Sequence, residues 1–257
     1  MKDAKKRPAG KRRPVSAWLR PRVAERRYGV RLRQVARQVG ALISGHAPEG
    51  VIETEAQLSG IEETLRRYAD LIGPWAEAAA RYMLTDASRR NERAWTTAGE
   101  EMGAALRQEI QTAPTGELYR RLMAEQVTLI KSLPLDAAQR VHDLVIESRS
   151  SGQRATEIAK EIMRTGDVTQ ARATLIARTE SARASSVLTQ ARAQHIGSTH
   201  FIWRTAGDYD VRDSHAKIDG HTFRWDAPPK TDNLPAYIAG AGPNCRCWPE
   251  PVLPEIR

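Results

Sequence analysis

The chain has 257 residues, with 40 Lys and Arg against 31 Asp and Glu, a net charge of +9 at pH 7 and a hydrophobic fraction of 40%. That length buries the core of one large or two modest domains, and the composition is too apolar for a disordered chain. No apolar run approaches the roughly 18–20 residues of a membrane span, "VSAWLRPRV" is too short and too charged for a secretory segment, and the chain reads as one kept in a reducing cytosol.

The positive charge sits at one end. Residues 1–39 hold fourteen of the basic residues against two acids, Asp3 and Glu25, for a net +12, so residues 40–257 together net −3. Lys5, Lys6, Arg7, Lys11, Arg12, Arg13, Arg20, Arg22, Arg26 and Arg27, followed by Arg31, Arg33 and Arg37, make an arm suited to polyanions. Sequence-independent contact with DNA phosphates is the reading this favours. A solubilising tail is the bland alternative, and no base-reading motif is present.

Met1 to Pro14 is Lys/Arg/Pro-rich and is expected to be disordered alone. From Ser16 to about Leu42 apolar residues recur at helical spacing (Val23, Tyr28, Val30, Leu32, Val35, Val39, Leu42), and "SGHAPEG" (44–50) reads as a linker. Residues 51–72 predict a helix burying Ile52, Leu58, Ile61, Leu65, Tyr68 and Leu71. Pro74 suits the first turn of the next helix, roughly 74–112, with Trp75, Tyr82, Met83, Trp95, Met102, Leu106 and Ile110 inward. Prolines 114 and 134 precede expected helices at about 115–132 and 135–150. A short helix at 151–166 and a longer one at 168–196 follow.

After Gly197 the composition changes. Trp203, Trp225, Trp248, Phe201 and Phe223 all lie in the last 57 residues, and "HFIWR" and "HTFRW" each place two aromatics on one face of a strand. These aromatics read as a module core. The fold expected is a mainly α N-terminal region followed by a small α+β C-terminal module, divided as 1–43 (basic arm and helix), 44–150 (helical region) and 151–257.

Within the module, residues 205–221 gather Asp208, Asp210, Asp213, Asp219, His215 and His221, and both cysteines lie in "PNCRC" (243–247). A Cys245–Cys247 disulfide is disfavoured by compartment and by the strain of so short a ring. Three readings stay open. Cys245, Cys247, His215 and His221 or an aspartate hold a structural zinc, as a module with little core would use. Alternatively the cysteines are buried small hydrophobes in a hydrogen-bonded scaffold, or Cys, His and Asp form a nucleophilic site. Asp213 or Ser214 is expected to cap a short helix bearing His215, Asp208 and Arg212 to fix loops, and "DG" at 219–220 to turn the chain into the Phe223/Trp225 strand. His46, His142, His195 and His200 show no partner spacing.

"ARTESARA", "FIWRTAGDYDVRDSHAKIDGHTF" and "GPNCRCWPEP" together resemble the phage head morphogenesis family, the Mu protein F-like minor head proteins and their relatives in the tailed phage SPP1. The matching residues are Arg178, Thr179, Glu180, Trp203, Thr205, Asp208, Arg212, His215, Asp219, Gly220, Pro243, Asn244, Cys245, Arg246 and Cys247, over about residues 150–250. The resemblance implies a minor head protein of the virion, assembled in the host cytoplasm and associated with the portal vertex or head interior. It implies a role there in head assembly, DNA packaging or ejection, and no established catalytic activity. Its implied partners are the portal protein, the major capsid or scaffolding protein, and DNA, with no membrane. It also implies a structural contact for Arg178 and Glu180, read as a buried ion pair reaching into the module, where charges two apart otherwise suggest a solvated helix face. Against this stand a metal-dependent nuclease using the Asp/His/Cys cluster and a general nucleic-acid-binding module on a helical scaffold.

Overall fold

A computed structural model describes residues 22–47, 52, 55–99, 108, 112–151 and 155–254. The expected disordered segment, Lys5 to Arg20 of the basic arm, and Met102, Leu106 and Ile110 lie outside them.

Helix α1 (Arg22–His46) buries Tyr28, Leu32, Val35, Ala36, Val39 and Ile43 at three-to-four spacing and exposes Arg26, Arg27 and Arg37. Arg31 lies over the Tyr82 ring at 4.4 Å, so part of the basic segment is committed to internal packing. Helix α2 (Glu55–Leu71) follows the expected stripe up to Tyr68. At its end Leu71 is 72% exposed, and Ile72 is buried in its place. The chain turns there into α3 (Gly73–Gly99), which shifts the inward face by one position.

The two helices expected on either side of Pro134 are one, α4 (Gly116–Ser151). A proline inside a helix costs about 3 kcal/mol by removing a donor and crowding the preceding turn. Here Ile130 and Leu133 before Pro134, and Ala137, Ala138 and Val141 after it, are all buried along one face. Breaking the helix would forfeit that packing. The Ser132 hydroxyl donates to Leu129 O at 2.9 Å in the turn leading to the proline.

Helix α5 (Ala155–Met163) and α6 (Thr165–His195) complete the helical body. α6 has no single apolar stripe. Its buried residues are mostly small (Ala173, Ala177, Ser181, Ala182, Ala184, Ser186, Ala193), because it is covered on several sides at once. A Cβ on Gly166 would lie 3.2 Å from Gly40 Cα, which is the close approach that lets α1 and α6 pack along their lengths.

Two clusters fill this body. One joins α1, α3, α4 and α6 around Tyr28, Leu84, Leu122 and Ile130. The other joins α1, α2, α4 and α5 around Val39, Ile61, Leu65 and Val141. Packing therefore crosses the boundaries expected near residues 43 and 150.

The module is a three-stranded antiparallel sheet, β2–β1–β3, with β1 His200–Arg204, β2 Thr222–Arg224 and β3 Trp248–Pro251, plus a short helix α7 (Asp213–Lys217). β1 and β2 are the two aromatic segments. β3 is "WPEP", with prolines at two of its four positions. It is an edge strand whose Phe201↔Pro251 and Trp203↔Pro249 pairs alternate with the positions that bond β1. Val252 N–H donates to His200 O at 3.0 Å, so Pro249 and Pro251 fall where the missing N–H would point away from the sheet. A third cluster contains Phe201, Trp203, Trp225, Ile238, Cys245 and Cys247, and Trp95 of α3 reaches into it from the helical body. Trp248 is only partly buried. No helix among the described residues is long and apolar enough to cross a membrane.

Candidate functional site

α7 places His215 against the module core, where the residue is 1% exposed and its ring stands edge-on to Trp203 at 5.1 Å. Arg212 occupies the N-cap position of α7 without a side-chain cap. Ser214, one of the two expected caps, donates its hydroxyl to Asp232. His215 Nε2 faces Tyr237 OH at 3.0 Å, Asp232 Oδ2 at 3.1 Å and Thr231 Oγ1 at 3.2 Å. Its other nitrogen, Nδ1, faces Cys247 Sγ at 3.4 Å and Cys245 Sγ at 3.7 Å. Among the described residues these three form the one group of histidine, cysteine and carboxylate side chains whose ligand atoms all lie within 4.8 Å.

Both cysteines are free thiols. The Cys245 thiol is drawn down to about 4, chiefly by a hydrogen bond from Cys247 and, against the cost of burial, by His215. Cys247 is pushed up, first by giving its hydrogen bond to Cys245 and then by burial. The two sulfurs act as a pair that shares one proton. Burial raises the Asp232 carboxyl, but the Ser214 hydroxyl, His215 and Arg212 together hold it below the ordinary carboxylate range.

His221 does not join this group. Its backbone is tied at the sheet, with His221 O accepting from Trp203 N at 2.9 Å, and the residue is exposed. The expectation of His221 as a fourth ligand is corrected accordingly.

The remaining motif residues fasten loops. Arg246 donates to Asp208 at 3.0 Å and Asp210 at 2.7 Å. Arg212 donates to Pro243 O at 2.6 Å. Asp219 accepts from Thr205 N–H at 3.1 Å, and Gly220, at φ +86°, turns the chain so that its N–H reaches Trp203 O at 2.7 Å. Asn244, at φ +53°, occupies the left-handed region that asparagine tolerates.

Arg178 and Glu180 do not pair with each other. Two residues apart on a helix, their side chains leave on nearly opposite faces. Arg178 reaches Glu25 of α1 at 3.1 Å. Glu180 is buried and accepts from Gln126 Nε2 at 2.6 Å and Arg183 Nε at 3.0 Å, while Tyr28 OH donates to Gln126 Oε1 at 3.0 Å. Between them, Thr179 Oγ1 accepts the backbone N–H of Asn244. Three consecutive residues of α6 therefore hold three different segments: α1, the tail and α4.

Residues 139–249 match the family described as phage Mu protein F like protein. This stretch is similar to the phage Mu protein F family. An uncharacterized protein of Haemophilus influenzae is 34% identical over 137 residues, covering 53% of this chain and 30% of the relative. The chain thus spans under a third of that relative's length. No solved structure matches.

The Mu F-like region runs from the second half of α4 through the module to β3, so its match includes every residue of the His/Cys group. Sequence reasoning missed the partners on the far side of His215, namely Thr231, Asp232 and Tyr237. The available signal was the turn "TDN", whose Asp232 and Asn233 both adopt positive φ.

Proposed function

We propose that the protein is a minor head protein of a tailed phage and a virion component, with its Mu F-like region seated at the portal vertex or the inner face of the head. It takes part there in head assembly, DNA packaging or ejection. Its partner in this role is the portal protein, with the major capsid or scaffolding protein as a further contact.

The observation that carries this reading is that the matched motif residues make internal ties. Asp208 and Asp210 are engaged by Arg246, Asp219 by a backbone N–H, and Arg212 by a carbonyl. Asp208, Asp210 and Asp219 are the acids that a nuclease would need for metal or water, so the structural role is favoured over the enzymatic one.

The basic N-terminal segment contacts DNA without reading sequence. Arg26, Arg27 and Arg37 on the outer face of α1 support this contact in the described part of the segment.

Mass spectrometry of purified particles tests the proposal. The chain is expected in intact heads, shielded from added protease, and its absence from heads that carry a portal would reject it. Incubation of the pure protein with plasmid DNA and magnesium or manganese tests the enzymatic alternative. Cleavage that disappears in Asp208→Ala would favour a nuclease.

A further inference from the structure

We propose that His215, Cys245 and Cys247 bind a divalent cation of the zinc class, with water as fourth ligand, and that this ion fastens the end of the chain onto α7.

Asp232, Tyr237 and Thr231 surround Nε2 of His215 at 3.0–3.2 Å, with the carboxylate at 3.1 Å. A carboxylate there fixes the tautomer, so Nε2 carries the proton and Nδ1 presents its lone pair. Two sulfurs converge on that single lone pair, at 3.4 Å and 3.7 Å. The three ligand atoms lie within 4.8 Å of one another, the spacing of a shared coordination centre.

A cation between them would be met by each sulfur and by the nitrogen. With zinc–sulfur distances of about 2.3 Å and zinc–nitrogen distances of about 2.0–2.1 Å, tetrahedral angles put sulfur and nitrogen roughly 3.5–3.6 Å apart. That value lies between the two observed separations.

The surroundings have the features of a ligand shell. A carboxylate behind the non-ligating nitrogen is the usual support of a metal-bound histidine. The indole Nε1 of Trp203 is buried without an oxygen or nitrogen partner and lies beside Cys247, where a metal thiolate would accept its N–H. Two thiolates with one imidazole favour zinc over magnesium or calcium, which take oxygen donors. The ligands are 1%, 3% and 6% exposed for His215, Cys245 and Cys247, so substrate has no route to the ion and its role is structural. The inference holds whether or not the chain is a head protein.

The test uses the full chain, purified without chelator after growth with zinc. Elemental analysis should give about one zinc per chain, as expected for an ion that contributes to folding. Replacement by cobalt(II) should give the strong visible bands of a tetrahedral site together with sulfur-to-cobalt charge transfer. The chain has only two cysteines, so charge transfer identifies this site even if the serine variants do not fold. Asp232→Asn should weaken metal affinity roughly 10–100-fold, and His221→Ala should leave it unchanged. Folded wild-type protein that takes up neither zinc nor cobalt overturns the proposal. So does a metal content that survives Cys245→Ser and Cys247→Ser together.

Discussion

Thr179 Oγ1 accepts the backbone N–H of Asn244 at 3.1 Å, joining the middle of α6 to the tail across 65 residues of chain. With Arg212 on Pro243, Arg246 on Asp208 and Asp210, and the cysteines against His215, it makes residues 243–247 a strap with four fixings. Thr179→Val keeps the shape and removes the acceptor. The expected loss is about 0.5–1.5 kcal/mol, read as a melting point lower by a few degrees and as faster amide exchange at Asn244. Unchanged exchange there would show that this bond does not hold the strap.

Arg178 and Glu180 lie two apart in the motif but should behave differently when removed. Glu180→Ala strips a buried acceptor from Gln126 and Arg183 and should cost about 2–4 kcal/mol in chemical denaturation. Arg178→Ala loses a mostly solvated pair with Glu25 and should cost no more than about 1 kcal/mol. Equal effects from the two would contradict their assignment to opposite helix faces.

Gly240, at φ +86°, passes so close to α6 that a Cβ would lie 2.4 Å from Ser186 Oγ and 2.8 Å from Cys247 O. Gly240→Ala should therefore destabilise the module by roughly 1–3 kcal/mol. Adding Ser186→Ala should recover only part of this, since the Cys247 carbonyl remains in the way. Full recovery would show that the backbone clash is not the cause.

Because the folded Cys245 thiol is drawn down to about 4 while an unfolded thiol titrates near 8.5, the metal-free protein gains stability from its thiolate. That contribution is complete above the unfolded value and is lost as pH falls toward the folded one. Thiolate absorbance of metal-free protein should persist at neutral pH and fade only under acid conditions. A titration in the ordinary thiol range would contradict the sharing of one proton by the two sulfurs.

The exposed arginines of α1 give a separate electrostatic signature. Arg26→Gln, Arg27→Gln and Arg37→Gln together should lower the slope of log affinity for DNA against log salt by up to about 3. No change in slope would place DNA contact elsewhere.

The helical body was legible because its residues repeat at three-to-four spacing, and the first two strands because their aromatics alternate. Pro134 misled, since a local helix breaker was outweighed by burial on both sides of it. β3 was hidden for the related reason that prolines disfavour strands except at an edge, and edge position is a tertiary fact. The union of His215 with the cysteines was readable from residue type. The place of His221 was not, because one turn of backbone pairing decides which way an imidazole faces. The Tyr28–Gln126–Glu180 chain joins three helices far apart in sequence, and no local pattern announces it.

Seating of the Mu F-like region on the portal is the central functional claim, and co-expression of the full chain with an affinity-tagged portal protein from the same phage tests it most directly. The account predicts that the chain is retained on the portal at physiological salt, and that the Arg26/Arg27/Arg37→Gln variant is retained equally after nuclease treatment. Failure of the folded wild-type chain to bind portal, or retention that vanishes once DNA is digested, would contradict it.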